Sequence, residues 1–278
     1  MIDEQGALAL VRERFPELDA QRATLLGGRI VRSFLVDDAI VFRFPIDRDA
    51  EARLDADVRL MRALASVPIT VPDHRYHAPG TSDTLPFWGH PVLPGAPALS
   101  LDRFDELGAK LGRALAAIHA FPIATAWACG IRLRRAPHHN LAAYYRDLIV
   151  RYDQTRSKLP IELRARCEKH FTTLVVPAPH VGALGLVHGS ISRPTVHVAE
   201  PIGLVAWEEV NIGDLALDLG CVLFAFGMSA FEAALGAMKP EVGLAERARF
   251  IARCYGLSLV ADPVTPLAGK AWALDRIE

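Results

Sequence analysis

Residues 185–220 read GLVHGSISRPTVHVAEPIGLVAWEEVNIGDLALDLG, and how this stretch is read decides the fold. Two short apolar β runs, TVHV and GLVAW, flank a turn at AEPIG. Ahead of them, apolar residues lead into His188-Gly189. Behind them, IGDLALDLG places Asp214 near the start of an apolar helix, where a carboxylate caps exposed backbone N–H groups. Asp218 follows one turn later, with a weaker claim to the same role. The pattern is a β-framed loop followed by a buried helix.

Upstream the texture divides in two. Residues 3–16 predict a helix with Ala7, Leu8, Leu10, Val11 and Phe15 on one side. Within 24–45, the β-rich runs IVRSFLV and AIVFRF are joined by Asp37-Asp38, a hairpin signature with a Gly-Gly turn ahead of it. Residues 47–65 alternate charge with Leu, Val and Met at helical spacing until Pro68 and Pro72. PFWGHPVLPGAP then reads as a strand running out into a Pro-Gly loop. From 101–120 onward the texture is mostly helical. These elements predict an α+β protein with a cleft between residues 1–95 and 96–278, joined in the 93–98 loop.

Bulk composition narrows the function classes. The 278 residues are 51% hydrophobic, with 31 basic against 32 acidic residues. That apolar fraction supports a well-filled core, and the balanced charge gives no field pointing to nucleic acid or an anionic membrane. The N-terminus MIDEQGALALVRERF lacks the basic region and apolar run of a signal peptide. The stretch LGCVLFAFGMSAFEAALGAM is broken by Glu232 and glycines, so no membrane span is expected. Cys129, Cys167, Cys221 and Cys254 are scattered, with no C-x-x-C pair. This reads as reduced core thiols, argues against zinc and fits the cytoplasm. No signal for an oligomeric state is present.

Each chemical motif carries a plain reading beside its functional one. The Gly27-Gly28 hairpin reads equally as an ordinary turn or as a glycine loop over phosphates, with Arg43 on the following strand as a fixed cation. A fixed cation needs an acidic partner from the next helix, where Asp57 stands; alone, Asp57 fits an exposed helical acid as well. His119, at the end of LGRALAAIHAF, reads as a structural histidine. Tyr144, Tyr145, Tyr152 and Trp127 offer either stacking surface or core packing.

The ordered set of these motifs resembles the aminoglycoside phosphotransferase family, whose fold is similar to that of protein kinases and choline kinase. The resemblance covers residues 20–255. It is carried by the Gly-Gly hairpin, VFRFP, the helix with an acid, LPG, the L-x-x-x-L-x-x-I-H helix, VHG, W-E and IGDLALDL. It implies a bilobal protein-kinase-like α+β fold with a small β-rich N-lobe and a larger helical C-lobe. It implies ATP or GTP as cofactor, held by Gly27, Gly28, Arg43, Asp57, His90 and Val92, with a small-molecule ligand in the interlobe cleft. His188 and Ser190 fall on the catalytic positions.

Position by position, the resemblance also exposes losses. The family's catalytic Asp is replaced by Ser190, its magnesium-binding Asn by Thr195, and its second metal ligand by Ala206. A serine cannot take a proton near neutral pH. Magnesium prefers carboxylate and amide oxygens, and Ala206 offers it nothing. Each loss costs on the order of 3 kcal/mol or more of transition-state stabilisation. Glu208 is the possible substitute ligand: in an extended strand it faces the same side as Ala206, about 7 Å further along.

Residues 132–170 hold eight arginines and two lysines against four acids. If they line the cleft they disfavour a polycation; otherwise they form a solvated helical face. The leading expectation is a pseudokinase-type binding or regulatory protein without magnesium. The rivals are an active ATP- or GTP-dependent small-molecule phosphotransferase using Glu208, and a cleft reused for other chemistry.

Overall fold

The alternation of side chains along VRSFLV and IVFRFP organises the first layer of the fold. The computed structural model describes residues 2–28, 30–99, 104–133, 140–178, 184–238 and 240–278. Helix α1 (Glu4–Arg14) precedes β1 (Ala23–Gly27), β2 (Val31–Val36) and β3 (Ile40–Pro45). Helix α2 (Arg48–Ala63) follows, then β4 (Tyr76–Ala78) and β5 (Phe87–Pro91). The five strands form one antiparallel sheet in the order β1-β2-β3-β5-β4. Asp37 and Asp38 both have positive φ, 48° and 55°, and the Ala39 N–H donates to Val36 O at 3.0 Å. This is the two-residue turn whose twist suits a hairpin.

Because successive side chains point to opposite faces, Phe34, Phe42, Phe44 and Phe87 share one face with Ala7, Val11 and Phe15. Val31 and Trp88 pack on the other face with Ala50, Leu54 and Val58 of α2. Arg43 lies between Phe42 and Phe44, so the strand period alone turns it toward α2.

The remainder is mainly helical. It comprises β6 (Ala96–Pro97), α3 (Asp105–His119), α4 (Ile123–Ala128), α5 (Leu141–Thr155) and α6 (Ile161–Thr173). Then come β7 (Gly185–Val187), β8 (Val196–Val198), β9 (Gly203–Leu204) and β10 (Asn211–Gly213). The chain closes with α7 (Ala216–Phe226), α8 (Met228–Ala237), α9 (Leu244–Ala261) and α10 (Leu267–Asp275). The α+β architecture expected from the sequence is therefore present, with a β-sheet N-lobe and a helical C-lobe. The helix expected over 101–120 begins at Asp105 among the described residues.

Two small ribbons hold the loops of interest. Strand β7 pairs antiparallel with β10, Val187 opposite Asn211, so the segments after residue 187 and before residue 211 leave from the same end. Strand β8 pairs with both β6 and β9. The large core beneath draws Leu111, Leu115 and Ile118 from α3, Leu219 and Val222 from α7, and Ile251 and Leu257 from α9. Tyr144 and Tyr152 are buried in it, so they pack the core and offer no stacking surface. All four cysteines are free thiols and buried. Among the described residues no helix is long and apolar enough to cross a membrane.

Helix α3 carries His119 into the site by lying directly on α8. A Cβ added at Gly108 would lie 2.4 Å from Ala230 O, and one at Gly112 would lie 2.3 Å from Ala234 O. No side chain fits between these backbones without separating the helices. Gly112→Val is therefore expected to lower unfolding stability by about 2–3 kcal/mol, measured by urea denaturation against wild type.

Candidate functional site

The loop that begins at His188 is anchored by one buried carboxylate. Asp218, fully buried in α7, accepts hydrogen bonds from the His188 N–H at 3.0 Å, the Gly189 N–H at 2.7 Å and His119 Nε2 at 2.9 Å. Burial alone would raise the Asp218 pKa, but the bond and charge of His119, with His188 and Gly189, hold it below the ordinary carboxylate value. His119, expected as a structural histidine, thus orients the loop through Asp218.

The His188 ring is itself defined by its partners. Its Nδ1 accepts the Ser190 N–H at 3.2 Å, which leaves Nε2 to donate to Val205 O at 3.0 Å. That tautomer is neutral, and burial pushes the ring's pKa below its usual value. Trp207 packs against it at 4.4 Å between ring centroids. Gly189 has φ 78°, and a Cβ there would lie 2.6 Å from Glu209 O. The loop and the segment around 207–209 therefore touch through backbone, and only glycine allows it.

Ser190 and Thr195 end this loop. The Thr195 hydroxyl accepts the Ser192 N–H at 2.8 Å and donates to Ser190 O at 3.0 Å. Its bonding capacity is spent inside the loop. Ala206 adopts the left-handed conformation, φ 62° and ψ 61°, and heads a single 3₁₀ turn at Trp207–Glu209. Alanine gains nothing from this strain, whereas Asp and Asn visit the region more readily.

The turn corrects the expectation of an extended strand at 206–208. Glu208 does not project along a strand beside Ala206. The turn directs it to Arg43, whose Nη2 donates to Glu208 Oε1. Arg43 also faces Asp57 of α2, Nη1 to Oδ2 at 3.7 Å, and both side chains are more than nine-tenths buried. Asp57 is therefore not an exposed helical acid. Burial raises its pKa from the ordinary 3.8 to about 7, a shift that Arg43 opposes and the Glu208 charge reinforces.

The remaining predicted residues lie on or directly after strands β1 and β5 of the same sheet. Gly27 and Gly28 have φ of 132° and 100°, and a Cβ on Gly28 would lie 1.9 Å from Val31 O. His90 is buried, with Nδ1 2.8 Å from Pro91 O and its ring 5.0 Å from that of His74. Burial lowers its pKa to about 4. The Val92 N–H is bonded to Ala39 O at 2.8 Å. A cavity of about 560 Å³ lies against the arginine cluster, bounded by Arg53, Asp57, Arg132, Glu208, Glu209 and Asn211.

The positions that the fold would assign to magnesium do not fit the ion. Ala206 has no donor atom, the Thr195 hydroxyl is bound within its loop, and Glu208 is paired with Arg43. Sequence reading missed two features. One is Glu208 as partner of Arg43. The other is the buried pair of Asp214 with Arg247, Oδ2 to Nε at 2.7 Å, beside the expected cap in which the Ala216 N–H donates to Asp214 Oδ1 at 3.0 Å. Arg247 is 33 residues away, and nothing local signals it.

Comparison with known proteins gives the family and the fold. The sequence model described as the phosphotransferase enzyme family matches residues 22–250. The GDP complex of wild-type aminoglycoside 2'-phosphotransferase-IIIa superposes with a TM-score of 0.76 at 21% identity, covering 99% of this chain and 97% of that one. Macrolide 2'-phosphotransferase MphH from Brachybacterium faecium, as the apoenzyme, gives 0.65 at 24% identity over 99% and 98%. The streptomycin–ATP–APH(2")-IIa ternary complex gives 0.63 at 16% identity over 99% and 97%. These likenesses establish the fold. No curated protein matches the chain in sequence.

The Asp57 shift has a definite sign in stability. As pH rises from about 4 to about 7, unfolded Asp57 releases its proton while folded Asp57 keeps it. The folded state then binds more protons than the unfolded, so stability falls through that window and levels above it. Asp57→Asn should remove this component. In urea denaturation between pH 4 and 8, the wild-type minus Asp57→Asn difference is expected to fall up to pH 7 and then flatten; a pH-independent difference would contradict it.

Proposed function

The chain belongs to the phosphotransferase enzyme family, and from that premise we propose that it is a degenerate member that binds a nucleotide and a small molecule without magnesium-dependent phosphoryl transfer. The observation that carries this reading is the joint fate of Ser190, Thr195 and Ala206. One cannot act as a base, one has its hydroxyl bound within the loop, and one has no ligand atom. Phosphoryl transfer depends on positioning and on metal neutralisation of the transferred group, and this set supplies neither in the family's manner.

Binding requires less. Arg43, buried and fixed on a central strand, is the cation for a nucleotide phosphate, under the Gly27-Gly28 backbone. His90 and Val92 border the base in this reading, and the lobes join through residues 93–98. Solved relatives described as complexes with GDP and with ATP support a nucleotide as the occupant. Glu208 holds the Arg43 Nη2, so a phosphate reaching that nitrogen must displace a carboxylate. Displacement exchanges the Glu208 carboxylate for a phosphate beside Arg43 and Asp57. Occupancy is thereby coupled to the helix α2 contact, as a regulatory protein requires.

The test is a thermal-shift titration with ATP and with GTP, each with and without magnesium, alongside a radiolabelled phosphate-transfer assay. The expected result is a nucleotide-dependent rise in Tm that magnesium does not enlarge, absent in Arg43→Met, with no transfer to small alcohols. A magnesium-dependent rise accompanied by transfer would overturn this reading and favour a rearranged active centre using Glu208.

A further inference from the structure

The hydrogen bond from Arg43 Nη2 to Glu208 Oε1 joins the two lobes, strand β3 on one side and the Trp207–Glu209 turn on the other. Its two partners differ in freedom. The Arg43 side chain is 7% exposed and set in a central strand, whereas Glu208 keeps 36% of its side chain in solvent. Glu208 also borders the cavity of about 560 Å³, together with Arg53 and Arg132. A rotated carboxylate therefore has room, water and cations to move to. The carboxylate can leave, and the guanidinium stays.

Its leaving is a local event. Trp207 stays keyed to the frame, its Nε1 donating to Leu204 O at 2.9 Å and its ring against that of His188. The lobes stay tied elsewhere. The Thr70 N–H donates to Ile202 O at 2.8 Å, Thr70 O accepts the Leu204 N–H at 2.9 Å, and Arg59 Nε donates to Cys129 O at 3.1 Å. Arg43 is not orphaned, because the Asp57 carboxyl remains at 3.7 Å. An anion arriving at Arg43 thus meets a like charge already on the guanidinium it needs. Like charges at close range cost affinity whether or not Glu208 moves aside.

We propose that Glu208 is a built-in competitor for the phosphate position, an autoinhibitory contact that occupies Arg43 until a polyphosphate displaces it. This rests on the reading of Arg43 as the cation for a nucleotide phosphate, and it gives Glu208 a role opposed to binding. A polyphosphate brings several oxygens and more than one charge to the forked guanidinium, which a single carboxylate cannot match. A monoanion only exchanges one such charge for another. A ligand without phosphate makes no claim on Arg43 and leaves the contact in place. Glu208 therefore sets which ligands engage the arginine as well as how tightly they are held.

Adenosine, ATP and tripolyphosphate, each without magnesium, are titrated calorimetrically into the full chain and into Glu208→Gln. That substitution keeps the side chain's shape and an acceptor oxygen but removes its charge. ATP and tripolyphosphate should each bind Glu208→Gln about tenfold or more tightly than wild type, while adenosine binds the two proteins within about twofold. A double-mutant cycle of Arg43→Met and Glu208→Gln in urea denaturation reads the contact without any ligand, and the two effects on stability should be non-additive. Unchanged or weaker binding of both phosphate probes by Glu208→Gln, equal tightening of adenosine, or an additive cycle would overturn the proposal. ATP binding to wild type with no gain in Glu208→Gln rejects the competitor alone. Tightened tripolyphosphate binding, with ATP held no better than tripolyphosphate, rejects the nucleotide and supports the competitor. No binding of any probe to either protein rejects both.

Discussion

The Asp218 carboxylate is the point on which the centre of this molecule depends. A buried charge is tolerated only when its lone pairs are filled, and Asp218 fills them from three directions: α3 through His119, and the loop through the amides of His188 and Gly189. The same bonds therefore fix helix α3 against α7 and set the start of the 188–195 loop. From that start, the His188 ring reaches Val205 and the Gly189 backbone touches Glu209. The second loop is thus placed by the first. None of these bonds involves Ser190 Oγ or the Ala206 side chain.

A second constraint governs the opposite side of the cleft. Strand period turns Arg43 toward α2, and burial then demands counter-charge. Asp57 supplies part of it at 3.7 Å, and Glu208 supplies the direct hydrogen bond from the other lobe. Burial is the main reason the Asp57 pKa rises to about 7, against the pull of Arg43 and with a smaller push from the Glu208 charge. The arrangement is one buried cation shared by two carboxylates.

Much of the fold was legible because it depends on local periodicity and turn chemistry. The Asp37-Asp38 turn, the face shared by Phe34, Phe42 and Phe44, and the helix ending at His119 follow from residues close together in the chain. The contacts of the site were less legible. Glu208 was misplaced because GLVAWEE was read as continuous strand, whereas the left-handed Ala206 breaks it and starts a turn.

By itself, then, the sequence determined which chemical groups stand at which places: Ser190 after His188-Gly189, Thr195 five residues on, Ala206 before Trp207, and Arg43 on a strand. Identity at a spaced position needs no folding to be read. Only the tertiary structure decided what the remaining charges do, that Asp214 pairs with Arg247, Glu208 with Arg43 across 165 residues, and Asp57 with a proton near neutrality. The reason is electrostatic: a charge in water has no fixed partner, and it acquires one only where folding removes the solvent around it.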